Sequence, residues 1–566
     1  MQPKVLAIGA QAGRSGVAVR AFRAVLGNPG LRGLQLAWGG WVTVDWAYTV
    51  AISVFAFSRN GPAGVGLVTL IRLLPAAATA PFTAGLGDRF PRRLLLVVEE
   101  LTIGLILATS AIVTMVRGTD VVVYALAVAL AIVSAPFRAY QGALLPTLAQ
   151  TPDELTASNL VGSTIEAAAT LIGPALAGIL LGLSSPTAVF WVTAAVSLAA
   201  AIALLGIPRA APVRWRGRPR KFLDEMVAGF TTLARERDVR LLVSLFIAQP
   251  FVRGALNVLI VVLAIDGLRL GDPGVGWLFA ALGVGGLVGS GVAVRLVGQR
   301  RMASWFGLGL MLWGLPLLIL ASQPPLLVVV ALLATVGVGN LIEDVAGFSI
   351  LQRIAPDRTM ARILGVFEAL IRVTNGLGAV VTGFLVAAVG PRLSFLVAGA
   401  LLPVLVVIAW RHLRRLDSVG VIPTERLALL KQSPLFAPLS LIALERVARR
   451  LHAEEVAAGI DVIREGERGE QFYLIEMGVL EVVHGPTSVR RLTTGDHFGE
   501  IALLRGTTRS ATVRTVTASR LLRLESGDFL AAVTQHATSS DRLESIVAVR
   551  LEASAEIKRG QSVDCP

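Results

Sequence analysis

Cysteine is all but missing. Cys565, the next-to-last residue, is the single one in 566, which excludes a disulfide framework and a cysteine metal cluster. Charge is also scarce, at 16% of residues against 54% hydrophobic, with a mean hydropathy of +0.71; a soluble chain of this length carries more. His484, His497 and His536 have no neighbour at metal-ligand spacing, so no metal site is expected. There is no G-x-x-x-x-G-K-[ST] run to cradle a nucleoside triphosphate, which removes ATP-driven work. No catalytic set emerges, so the chain is not expected to be an enzyme. The first twenty residues are small, basic and interrupted by Lys4, Arg14 and Arg20, unlike a secretory signal, and the N-terminus is expected in the cytoplasm.

What is present is apolar sequence in long runs. A span needs roughly 20 apolar residues, and such runs recur at about 34–57, 63–86, 93–116, 119–149, 157–183, 187–207, 241–267, 274–297, 302–322, 325–354, 361–389 and 392–411. The formal charge of +14 gathers at the edges of these runs, as the positive-inside rule requires, so the lipid bilayer is the expected partner and nucleic acid is not. Arg89, Arg92 and Arg93, the pair Arg300 and Arg301, the central Arg214 to Lys221 and the final Arg411 to Arg415 then all lie inside. The stretch Thr151–Asn159, with Asp153 and Glu154, also falls inside, and acids weigh little in that rule. Lys221 to Arg240 reads as a surface helix whose Phe222, Met226, Phe230 and Leu233 recur at helical spacing.

After Arg415 the composition changes. Charges come every few residues, a short amphipathic helix (Leu444 to Leu451) follows, and alternating segments are punctuated by Gly459, Gly466, Gly469, Gly478, Gly485 and Gly495, a pattern for a small β-roll. A last helix is expected from Ser526 to Ala555. The expected class is an all-α polytopic membrane protein of 12 transmembrane helices in two six-helix bundles, plus a C-terminal β-roll with flanking helices. Its parts are a tail 1–33, bundles 34–207 and 241–411, a central loop 208–240, a linker 412–433, the soluble domain 434–556 and a polar tail 557–566.

Charged side chains within spans are costly and usually functional. They are Asp45, Arg72, Arg138, Glu166, Arg253, Glu343, Asp344, Glu368 and Arg372. Asp45, Arg138, Glu166, Glu343 and Asp344 are the transport or coupling candidates, Asp45 first, between Trp41 and Trp46. Glu368 and Arg372, four apart, read as a structural pair. Glu99 and Glu100 stand where they would partner the arginines of the preceding loop.

That loop, Ala84-Gly85-Leu86-Gly87-Asp88-Arg89-Phe90-Pro91-Arg92-Arg93, resembles motif A (G-x-L-A-D-R-x-G-R-R) of the major facilitator superfamily, with Ala84, Gly87 and Pro91 departing from it. Residues 289–301 resemble a worn second copy, Arg138-Ala139-Tyr140-Gln141-Gly142 resembles motif B, and Gly173-Pro174-Ala175-Leu176-Ala177-Gly178 resembles the core of antiporter motif C. The resemblance implies two related halves, a conformational latch at Asp88, Arg89, Arg92 and Arg93, and export of a small, amphipathic molecule.

The stretch Phe498-Gly499-Glu500-Ile501-Ala502-Leu503-Leu504-Arg505-Gly506-Thr507-Thr508-Arg509-Ser510-Ala511-Thr512-Val513 has the parts of a cradle for one phosphate and one sugar: free N–H groups at a helical turn, an arginine fork and an acid for a ribose hydroxyl. It resembles the phosphate-binding cassette F-G-E-[IL]-A-L-x(5)-R-[AST]-A-[ST]-V of cyclic nucleotide-binding domains. By that resemblance Glu500 binds the ribose, Arg509 the cyclic phosphate, Gly499 and Ala502 offer backbone groups, and Phe498, Ile501, Ser510 and Ala511 complete the site. No cofactor is expected beyond a regulatory ligand, cAMP or cGMP, with cAMP favoured while Ser510 leaves both open. The expectation is a secondary active transporter regulated by that ligand; a non-transporting receptor and a lysolipid flippase are the alternatives.

Overall fold

A computed structural model of the chain describes residues 23, 25–207, 237–296, 301–354, 357–419, 424–437, 439, 441–484 and 487–534. They belong to two compact units, Met1–Asp417 and Ser418–Pro566. The expected surface helix up to residue 236, the core of the second motif A copy at 297–300 and the last helix beyond 534 lie outside the described residues.

The first unit is helical. Its opening element, α1 (Pro29–Ala84), has 56 residues, far more than the ~20 that cross a bilayer. Gly61, at φ 60° and ψ −156°, interrupts it, a backbone state essentially confined to glycine, so α1 is two spans joined at a tight bend. The others are α2 (Arg92–Met115), α3 (Asp120–Ser134), α4 (Phe137–Leu148), α5 (Pro152–Leu183), α6 (Pro186–Leu205), α7 (Arg237–Val262), α8 (Gly271–Leu296), α9 (Met302–Leu320), α10 (Leu326–Ile354), α11 (Asp357–Val389) and α12 (Pro391–Val419). Eleven stretches of described helix are long and apolar enough to cross a membrane; dividing α1 at Gly61 yields the expected twelve spans. The fourth span is α3 and α4 in series, broken at Ala135-Pro136, where proline lacks an N–H and disfavours helix before it.

Where the halves meet, glycines let backbones touch. A side chain at Gly276 of α8 would lie 2.5 Å from the Cα of Gly178 in α5, and one at Gly283 2.7 Å from Leu171 Cα. On the other side a Cβ at Gly66 of α1 would come within 2.4 Å of Ala379 O in α11, and one at Gly383 within 2.7 Å of Pro62 O. In a membrane, where lipid is as apolar as leucine, such close approach supplies the packing attraction between helices. Gly178, in the motif C segment, therefore serves helix contact.

Helix α12 continues past its apolar part. Asp417 accepts hydrogen bonds from Ala303 N (2.8 Å), Ser304 N (3.0 Å) and Ser304 Oγ (2.6 Å), capping α9, whose own first residues supply no side-chain cap. The expected linker 412–433 is thus helix at both ends: α12 runs to Val419, and α13 (Thr424–Gln432) gives Leu430 to the core of the second unit.

That second unit has α13, α14 (Leu441–Arg450) and eight strands: β1 (His452–Val456), β2 (Asp461–Ile463), β3 (Gln471–Met477), β4 (Leu480–His484), β5 (Thr487–Leu492), β6 (His497–Phe498), β7 (Thr512–Thr515) and β8 (Ser519–Glu525). They form two antiparallel sheets, ordered β1-β8-β3-β6 and β2-β7-β4-β5. Strand alternation sorts the core. Tyr473 and Ile475 join Ile463, Leu480, Leu492 and Val513 between the sheets; Phe472 and Leu474 face outward onto Leu430, Phe436, Leu444 and Phe529 of the flanking helices. Between β6 and β7 lies α15 (Glu500–Arg505), and α16 (Ser526–Thr534) closes the described chain.

Candidate functional site

In the roll, Gly499 follows β6 with φ 91° and turns the chain into α15. A Cβ there would sit 2.7 Å from Arg509 Nη1 and 2.9 Å from Gln471 O, so the position needs both the left-handed conformation and the absence of a side chain. Arg509 arrives from before β7, anchored by its own backbone: its N–H donates to Glu467 O at 2.8 Å, and Gly466 N donates to its carbonyl at 2.9 Å. Its guanidinium, 5% exposed, donates from Nη1 to Gly499 O (2.8 Å) and from Nη2 to Gln471 O (2.7 Å). Of five donors, the other three make no hydrogen bond among the described residues. Burial holds this guanidinium somewhat below its ordinary range, opposed by the nearby Tyr473, Glu500 and Glu467; a group starting so high stays charged. Glu500 is 1% exposed.

Phe498, Gly499, Glu500, Ile501, Ala502, Arg509, Ser510 and Ala511, the eight nucleotide candidates, line one cavity of about 150 Å³. Val513 of β7, which ends the cassette stretch, lines it too; the remaining wall was not read from the sequence: Ile463 of β2, Val482 of β4, Val489, Arg490 and Leu492 of β5, and His497 of β6. These residues share no contiguous motif. The apolar positions of β4 and β5 are the only sequence signal for the wall, and it does not say which cavity they face.

In the bundle, Arg138 follows the break at Pro136 and lies over the Trp38 and Trp41 rings, 4.8 and 6.0 Å from their centroids. It also forms an ion pair with Glu166 of α5. Two of the transport candidates thus bind each other within the N-terminal half. Across the seam, Arg253 of α7 sits 5.7 Å over Trp46, and Asp344 lies within electrostatic reach of Arg253, Glu166 and Glu368. Asp344 accepts from Asn340 Nδ2 at 3.1 Å, and Asn340 Oδ1 accepts from Gln249 at 3.3 Å. Glu343 is fully buried, against Gly309 of α9. Asp45 is exposed, one helical turn beyond Trp41 on the same face, and has no ion pair among the described residues. Arg72, over the Tyr48 ring at 4.9 Å, is 9% exposed.

Two expected pairings do not form. Arg92 donates to Ala143 O at 3.0 Å, and Arg93 donates to Leu204 O at 3.1 Å and to Leu205 O. Arg93 thereby neutralises the carbonyl end of α6, a favourable place for a cation. Glu99 and Glu100 are buried without either arginine, and Glu100 accepts from Ser197 Oγ at 2.8 Å. The latch residues Arg92 and Arg93 therefore bond within the N-terminal half; Arg89 is exposed, and the Asp88 side chain is outside the described set. Glu368 and Arg372 likewise form no ion pair with each other among the described residues.

The chain belongs to the Major Facilitator Superfamily, whose family model matches residues 41–367 and, again, 242–451. A cyclic nucleotide-binding domain model matches residues 453–536. A solved structure of the nucleoside transporter NupG superposes with a TM-score of 0.56 at 13% identity, over 68% of this chain and 99% of that one, a likeness of fold. Over the C-terminal unit the chain is 41% identical across 103 residues to the cAMP-dependent protein kinase regulatory subunit of Schizosaccharomyces pombe, 18% of this chain and 25% of that protein. It is also 41% identical across 96 residues to a cyclic nucleotide-gated potassium channel of Rhizobium etli, 17% of this chain and 27% of the channel. The chain thus spans about a quarter of the length of these curated relatives.

Proposed function

We propose that this multi-pass membrane protein is a secondary transporter whose cycle is biased by a cyclic nucleotide, with the N-terminus and the roll on the cytoplasmic face of the cell membrane. The observation that carries the reading is the cavity that Gly499, Glu500 and Arg509 share, with a buried arginine held by two carbonyls and three donors spare. A cyclic phosphate takes the spare donors as charge-assisted hydrogen bonds; Glu500 accepts from the ribose. The relatives named for cAMP and for cyclic-nucleotide gating support a regulatory use of the ligand. Arg138, Glu166, Arg253 and Asp344 handle the transported molecule, with Trp38, Trp41 and Trp46 giving apolar contact, which suits a small amphipathic substrate. The resemblance of residues 138–142 and 173–178 to efflux motifs supports export.

A ligand shifts the cycle only by preferring one of its states, typically by about 1–3 kcal/mol. The test is flux from proteoliposomes, using a panel of amphipathic dyes, with cAMP or cGMP at the roll side. Flux is expected to change with nucleotide in the wild type and not in Arg509→Ala. Nucleotide-independent wild-type flux would refute the regulation, and no flux with any substrate would refute the transporter.

A further inference from the structure

The lining of the nucleotide cavity divides in two. Gly499 to Ala502 and Arg509 to Ala511 make the phosphate and sugar end; the strand wall opposite is mostly branched aliphatic, with Arg490 as its cation. Arg490 stands directly across from Val482 in the β4–β5 ladder, and both line the cavity. Its guanidinium is about half exposed, with Nη2 3.7 Å from Asp496 Oδ1. That separation orients the side chain but is too long for a hydrogen bond. The other Asp496 oxygen is already occupied, accepting from Thr493 N at 2.9 Å. Arg490 thus lines the cavity beside Val482 and Val489, and its long ion pair with Asp496 leaves its donors available to turn toward a base once a phosphate is on Arg509.

We propose that Arg490 reads the base of the bound nucleotide and makes the domain select guanine over adenine, so that the regulatory ligand is cGMP. This rests on the nucleotide-binding reading of the cavity. A guanidinium has donors only. Guanine offers it two adjacent acceptors, O6 and N7, which a planar fork engages together, whereas adenine offers N7 beside an amino donor. One bond is lost with adenine, and two donors are set against each other. Ser510, whose hydroxyl both donates and accepts, obstructs neither base. The cAMP expected from resemblance alone is then the weaker ligand.

The test is calorimetry on the full-length chain in detergent, titrating cAMP and cGMP into the wild type, Arg490→Ala, Arg490→Gln and Arg509→Ala. Wild type is expected to bind cGMP about tenfold or more tightly than cAMP, the discrimination typical of a bidentate arginine–guanine contact. Arg490→Ala should lose about that factor for cGMP and distinctly less for cAMP, which has only N7 to offer the arginine. Arg490→Gln should turn the preference toward cAMP, since a glutamine amide matches adenine N6 and N7. Arg509→Ala should weaken both alike. Equal or tighter cAMP binding by the wild type, or an equal loss of both ligands in Arg490→Ala, overturns the base-reading role and leaves nucleotide binding standing. If neither nucleotide binds the wild type, the underlying reading of the cavity falls and the proposal with it.

Discussion

Arg509 in the roll and Arg138 in the bundle are both candidate ligand groups, and they are held in opposite ways. Arg509 is buried, its fork fixed by the carbonyls of Gly499 and Gln471 and its backbone tied to Glu467. Arg138 rests over two indole rings and pairs with a single carboxylate, its side chain more than half exposed. The first arrangement is preorganised for one rigid anion, since nothing has to move for a phosphate to be met. The second is a set of exchangeable contacts: a cation over a ring costs little to shift, and an exposed ion pair is worth little. These two designs suit the proposed roles, a domain that reads a signal and a bundle that releases its cargo.

The comparison can be broken at three levels. Arg509→Ala carries the largest expected effect, because it removes the charge-assisted hydrogen bonds proposed for the cyclic phosphate; the loss is roughly 3 kcal/mol, on the order of 100-fold in nucleotide affinity, read by calorimetry. Should affinity fall less than tenfold, the roll is no more preorganised than the bundle. Next, Glu166→Gln removes one half of an exchangeable pair and is expected to lower dye flux about tenfold while nucleotide affinity stays at the wild-type value. An unchanged flux would make Arg138–Glu166 a structural tie.

The smallest effect belongs to Asp461, whose carboxyl is held below its usual 3.8, chiefly by its hydrogen bond from Arg514 across β2 and β7. The unfolded chain takes up this proton first as pH falls, so the stabilisation is full above 3.8 and is lost through the range below it. Thermal unfolding of the roll transition should therefore fall more steeply below pH 4 in wild type than in Asp461→Asn. Parallel curves would remove that pair from the account of the roll.

Legibility followed contiguity. Residues 498–511 stand together in sequence, so their common cavity was readable; Val482, Val489 and Arg490 reach it only through the pairing of β4 with β5. Apolar length marked the spans, yet the single bend at Gly61 depends on one backbone state that composition does not announce. The Glu99–Glu100 expectation failed because charge counting ignores the backbone. Arg93 found the free carbonyls of α6, acceptors that the sequence never displays as charged letters.

The glycine contacts of α5 with α8 and of α1 with α11 have a mechanical side. Gly276 meets Gly178, and Gly66 meets Ala379, main chain to main chain. Branched side chains interlocked across such a seam would have to climb out of one another's grooves before the halves could turn. Smooth backbone surfaces present no such teeth, so in the proposed transport cycle the two bundles would pivot with low friction, and the resistance that remains would be set elsewhere, by charge and by ligand.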